Sequence, residues 1–95
     1  MMAIEQFAPH VGEGFDLDLG ESGHAMTLVE ASPLPPQVFP GMMRAPFALL
    51  FRSGSALVLP QRLYRLKNAA LGSLDIFLVP VARDSRGILY QAVFN

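Results

Sequence analysis

The sequence contains no cysteine, which excludes a disulfide framework, a thiolate zinc centre and a cysteine nucleophile, and fits a reducing compartment. Charge is scarce as well. Asp, Glu, Lys and Arg make up 16% of the 95 residues, against roughly 25% in an average globular domain. Long hydrophobic runs are missing: the two longest, residues 45–51 and 76–82, are interrupted by Pro46 and Pro80 and fall far short of the roughly 20 residues a membrane-spanning helix needs. The opening Met1-Met2-Ala3-Ile4-Glu5-Gln6-Phe7 has neither the basic segment nor the apolar stretch of a secretory signal. A cytoplasmic protein with no membrane partner is therefore expected.

What the chain does contain is apolar surface. Hydrophobic residues account for 52% before the eight glycines are counted, whereas an average domain reaches roughly 45–50% with glycine included. A chain of this length forms one compact domain, residues 1–95, with one core. The apolar surplus points to a subunit that hides a face against a partner, and a homo-oligomer is the expected state.

The net charge of −1 conceals an uneven distribution. Residues 1–40 carry Glu5, Glu13, Asp16, Asp18, Glu21 and Glu30 with no Lys or Arg, a net −6. Residues 41–95 carry Arg44, Arg52, Arg62, Arg65, Lys67, Arg83 and Arg86 against Asp75 and Asp84, a net +5. Either acidic strands lie beside basic ones and cancel locally, or the halves form opposite faces that attract a partner. A sequence pI near 6.0 lacks the basic footprint of a nucleic-acid-binding domain, so no nucleic-acid partner is expected.

Hydrophobic periodicity supplies the elements. Ile4, Phe7 and Ala8 mark a short helical turn closed by Pro9 and Gly12. Phe15, Leu17 and Leu19 alternate with Asp16 and Asp18, the period of a half-buried strand. After the turn cluster Gly20-Glu21-Ser22-Gly23, residues 25–31 resume the alternation, blurred at Val29, and the two runs read as an antiparallel hairpin. Residues 32–46 hold five prolines, too many for a central strand, and read as a long loop, which at this length is usually functional or disordered. Residues 47–53, 61–67, 74–81 and 88–94 supply four further strands. In the third of these both faces are apolar, Leu74, Ile76 and Leu78 on one and Phe77, Val79 and Val81 on the other, as in a strand covered on two sides. The expected fold is all-β: about six antiparallel strands in a small barrel or sandwich, with a short N-terminal helical turn and a long proline-rich loop.

Motifs with chemistry are sparse. Asp16 and Asp18, with Glu13 and Glu21 nearby, share a strand face but lack the glycine and bidentate-glutamate spacing of a calcium loop, and read as a solvent face. His10 and His24 fall at loop or turn positions without a second ligand at diagnostic spacing. Ser22 and His24, two residues apart in a turn, make a poor nucleophile and base. No phosphate-binding glycine motif occurs. No catalytic, cofactor-binding or metal-ligating residue is assigned, no cofactor is expected, and the expectation is a non-enzymatic domain. The apolar loop residues Phe39, Met42 and Met43, followed by Arg44, either form an adaptable contact surface, as methionine often does, or fold back to cap one end of a barrel. Together with Phe77, Val79 and Val81 they are the candidate partner-binding residues. The rival reading is a small-ligand barrel or enzyme with a pocket beneath residues 32–46.

The blocks Arg44-Ala45-Pro46-Phe47-Ala48-Leu49-Leu50-Phe51-Arg52, Leu59-Pro60-Gln61-Arg62-Leu63-Tyr64-Arg65-Leu66, Leu71-Gly72-Ser73-Leu74-Asp75-Ile76-Phe77-Leu78-Val79-Pro80-Val81 and Tyr90-Gln91-Ala92-Val93-Phe94-Asn95 resemble a small uncharacterised bacterial family, as does the start Phe7-Ala8-Pro9-His10-Val11-Gly12. The resemblance covers nearly the whole chain outside the proline-rich loop. It implies no activity. It implies a genomic setting beside proteins with a phage tail-collar domain, and so a tail-collar-like protein as a possible partner in assembly.

Overall fold

Wherever the sequence alternates apolar and polar residues, the chain runs as strand with the apolar set turned inward. A computed structural model describes residues 2–20, 22–35 and 45–95. Among these, helix α1 (Ile4–Phe7) continues into a 3-10 turn at Ala8–His10, and six strands follow: β1 (Gly14–Asp18), β2 (Gly23–Pro33), β3 (Phe47–Ser53), β4 (Arg62–Asn68), β5 (Gly72–Asp84) and β6 (Gly87–Phe94). All neighbours pair antiparallel in the order β1-β2-β3-β6-β5-β4, and the sheet closes on itself as a barrel. The closing seam between β1 and β4 is narrow, with Asp16 opposite Lys67 and Leu17 opposite Leu66.

Closure needs bent strands, and the two longest supply them. Within β2 the register shifts between Leu28 and Glu30, and within β5 between Pro80 and Ala82. Val29 and Val81 are the extra residues of these bulges, which bend a strand and let it serve two neighbours. The bulge at Val29 also reverses the phase. Met26 and Leu28 point inward before it, whereas Ala31, opposite the buried Leu49, packs toward the core after it. That phase change is why the sequence pattern blurs at Val29. Pro80 sits at the second bulge, where a missing N–H is tolerated.

Two segments differ most from the sequence reading. The proline-rich segment begins as strand, not loop: Ser32 and Pro33 pair with Ala48 and Phe47, and Leu34 N–H donates to the Pro46 carbonyl. A proline at the end of a strand forfeits only one ladder bond, so Pro33 does not end the pairing. Strand β5 extends beyond residues 74–81 in both directions to Gly72 and Asp84, because tight turns with glycine at positive φ, Gly72 at 74° and Gly87 at 125°, start β5 and β6.

The interior is filled by Phe15, Leu17, Met26, Leu28, Leu49, Phe51, Leu66, Ile76, Leu78, Ile88 and Tyr90, with Phe15 edge-on to Phe51 at 5.3 Å between centroids. In the closed ring β3 and β4 stand on opposite sides. Residues 54–61 therefore cross one mouth of the barrel, with Leu59 buried beneath. Helix α1 covers the other mouth with Phe7.

Candidate functional site

A closed barrel turns half of every strand outward, and those positions are ordinarily polar. On β4 and β5 some are not. Leu63 stands directly opposite Phe77, and they are 59% and 50% exposed. Val79, the next outward residue of β5, pairs with Gln91 of β6. Val93, two residues along β6 from Gln91, shares the same face by strand period and is 51% exposed. Leu63, Phe77 and Val79 form an apolar row over β4 and β5, and Val93 is outward on β6 beyond the last residues that β5 and β6 pair. Val81 is also half exposed, at 48%, but as the extra residue of the bulge it stands out of register with that row.

The inner face of β5 is buried at Ile76 and Leu78, while its outer face is open at Phe77. A strand expected to be covered on two sides is thus covered within the chain on one. Of the candidate contact residues, Phe77 and Val79 come together on this face and Val81 lies beyond it. Phe39, Met42, Met43 and Arg44 lie outside the described residues. Leu63 and Val93 were not singled out from sequence. Their signal was available, since each is a large apolar residue in the outward phase of its strand.

Beside the apolar row the same face carries both signs of charge. Arg65 pairs with Asp75 across β4 and β5, Nε to Oδ1 3.1 Å. Both side chains are largely in solvent, and the Asp75 carboxylate strengthens the hold of Arg65 on its proton. On β1, Asp16 faces Lys67, and Asp18 adds its field at Arg65. The acids of the first half of the chain here lie beside bases of the second, the local cancellation that the charge distribution allowed.

His10 lies in the 3-10 turn, a turn position as the sequence suggested, whereas His24 lies on a strand, and neither is fully exposed. His24 stands on β2 inside the barrel mouth, half-buried, with Nε2 2.6 Å from the Ser53 hydroxyl. That contact joins residues 29 positions apart, so spacing could not have shown it, and the pairing with Ser22 does not form. Ser53 is fully buried and its hydroxyl also accepts from Ser55 N–H, so the oxygen is enclosed by its partners. His10 Nδ1 lies 2.9 Å from one Glu13 carboxylate oxygen and 3.0 Å from the other. Asn68 donates to Glu13 and to the Gly14 carbonyl, and its own carbonyl accepts from Ala70 and Leu71 N–H. The bonds from His10 and Asn68 hold the Glu13 carboxyl below the usual carboxylate range.

Among the described residues no three His, Asp or Glu side chains are grouped to hold a metal ion. No buried side-chain nitrogen or oxygen among them is left without a partner. The described grooves are external. One of them, about 440 Å³, runs past Asp18, Gly20, Leu63, Tyr64, Arg65 and Asp75, alongside the apolar row. Among the described residues no helix is long and apolar enough to cross a membrane.

Fold and face together define a small closed antiparallel β barrel whose interior is packed and whose outer wall carries an apolar row. The chain belongs to the family described as Domain of unknown function (DUF6916), which it matches over residues 2–94. No curated protein and no solved structure matches it.

Proposed function

We propose that this chain is a non-enzymatic interaction domain of the cytoplasm, a barrel that binds another protein through the outer face of β4, β5 and β6. The observation that carries this reading is the exposed Leu63 opposite the exposed Phe77, with Val79 next along β5 and an exposed Val93 on β6, large apolar side chains where a barrel wall is ordinarily polar. An interior occupied by aromatic and aliphatic side chains supports binding on the wall over binding within. The interspersed Asp16, Asp18, Asp75, Arg65 and Lys67 suit a protein partner better than nucleic acid, which calls for a basic stripe. The tail-collar-type protein implied by the family resemblance is the first partner to test.

The experiment is co-purification from the native host with the wild-type chain and with Leu63→Ser/Phe77→Ser, followed by mass spectrometry. The expected result is a defined protein, bound by the wild type and lost from the variant at unchanged melting temperature. Identical profiles from a chain that also fails to associate with itself, or a small molecule recovered in the barrel, would overturn the reading.

A further inference from the structure

We infer that the occupant of the β4–β5–β6 face is a second copy of this chain, seated across a two-fold axis that passes through the Leu63 and Phe77 pair. The inference rests on the interaction-domain reading above and adds the partner and its geometry. A two-fold interface is self-complementary: a residue on the axis meets its own copy, and where residue i of one copy meets residue j of the other, j of the first meets i of the second. A charge on the axis would face a like charge, so the axis of such a dimer must be apolar and the flanks must carry both signs.

This face has that layout. Leu63 and Phe77 are mutual cross-strand neighbours, so a copy turned by half a rotation about an axis between β4 and β5 and parallel to them lays Leu63 of each chain on Phe77 of the other. The next outward pair along the same two strands is Arg65 and Asp75. Rotation about the axis brings Arg65 of one copy toward Asp75 of the other, and the reverse. Within one chain that ion pair is exposed on both sides and contributes little to folding, as exposed pairs generally do. Its charges can therefore exchange partners at small cost.

Size sets the strength. A face with so few apolar side chains reaches only the lower part of the range for specific interfaces, near or below about 1,200 Å² in total, so association in the micromolar range is expected, not a permanent dimer.

Sedimentation across a concentration series from dilute to near-millimolar tests this. The wild type should pass from monomer to dimer. Phe77→Asp should raise the dissociation constant at least about tenfold, as loss of a central aromatic anchor does, with the circular dichroism and melting curve of the dilute protein unchanged. Arg65→Asp and Asp75→Arg separately place like charges across the axis, and each should weaken self-association. Mixed together they should form a heterodimer of near wild-type affinity, because every cross-axis pair is again of opposite sign. That recovery is not expected if the two residues matter only within their own chain, since each single variant keeps its broken internal pair. A wild type that stays monomeric overturns the dimer and leaves the interaction-domain reading to the co-purification experiment. A dimer indifferent to Phe77→Asp, or single reversals that do not recover on mixing, overturns the two-fold geometry.

Discussion

At one end of the barrel the rings of Phe7, Phe47 and Phe94 lie 4.6 to 6.1 Å apart between centroids, with Phe47 and Phe94 stacked at 9°. At the other end residues 54–61 cross the mouth under hydrogen bonds. Leu59 N–H donates to the Tyr90 hydroxyl, Tyr64 donates to the Pro60 carbonyl, and Ser55 N–H donates to Ser53, itself bonded to His24. Both mouths are shut, yet by forces of different character. Ring packing is non-directional and scales with buried area, so it tolerates changes of shape that keep the volume. A hydrogen-bonded closure fails at single atoms, because each buried donor needs its own acceptor. The sequence shows the same division: phenylalanine recurs at the first end, glycine and serine at the second.

The sharpest break should come at the hydrogen-bonded end. Gly87 opens β6 at φ +125°, and a Cβ there would overlap the Ser53 carbonyl. Neither the backbone angle nor the space admits a side chain. Gly87→Ala should cost about 4 kcal/mol, near the limit of single-residue effects, measured by urea unfolding. A cost under about 1 kcal/mol would mean that the two turns do not meet as described.

At the ring end, Phe7→Ala should cost about 3 kcal/mol, the lower part of the usual range for a buried phenylalanine, because α1 can settle into the gap. Phe7→Leu should recover most of it. If leucine and alanine prove equally harmful, the closure is directional after all and the contrast between the ends collapses. Tyr90→Phe is the matching test at the other mouth. It keeps the ring and strands Leu59 N–H, for an expected loss of about 1–2 kcal/mol and faster amide exchange at Leu59 than at Phe7.

How much of this was readable from the residues depends on the range of the interaction. Strand β3 was legible to the residue, because an apolar run of strand length, Phe47 to Phe51, ends at the turn cluster Ser53-Gly54-Ser55. The apolar outer face of β5 was legible as an excess, since no strand needs Phe77 in the same run as Ile76 and Leu78 unless both sides meet something. The bulges were not, because one extra residue in β2 and in β5 shifts the phase without changing composition. Nor was the crossing of residues 54–61, which follows from β3 and β4 standing on opposite sides of the ring. His24 looked like a turn residue because its partner, Ser53, lies on another strand. Leu63 and Val93 show the complementary failure, where a pattern read for its inward phase passes over an apolar residue in the outward one.

The smallest expected effect compares the two ends through acid. Glu13 ties the 3-10 turn to β1 and β4 at the ring end through His10 and Asn68. Asp84 ties the β5–β6 turn to Arg52 at the other end, Nη1 to Oδ1 2.7 Å, and accepts from Arg86 N–H at 2.8 Å. Arg52 and the Arg86 N–H hold the Asp84 carboxyl below its ordinary range, as His10 and Asn68 do for Glu13. A carboxyl group whose value is lowered by folding stabilises the native state above its unfolded value of about 4, and that contribution fades as pH falls through the lowered one. Both ends should therefore loosen below about pH 4, by modest amounts since both carboxylates reach solvent. Melting curves of Glu13→Gln and Asp84→Asn should lie slightly below the wild type at neutral pH and converge with it in acid. Amide exchange separates the ends: Glu13→Gln should speed exchange at Gly12 and Leu28, whose N–H groups join the residues just before β1 to β2, and Asp84→Asn at Arg86. Variant curves that run parallel to the wild type down to low pH would show that neither carboxylate is linked to folding, and that both mouths are held by their buried contacts alone.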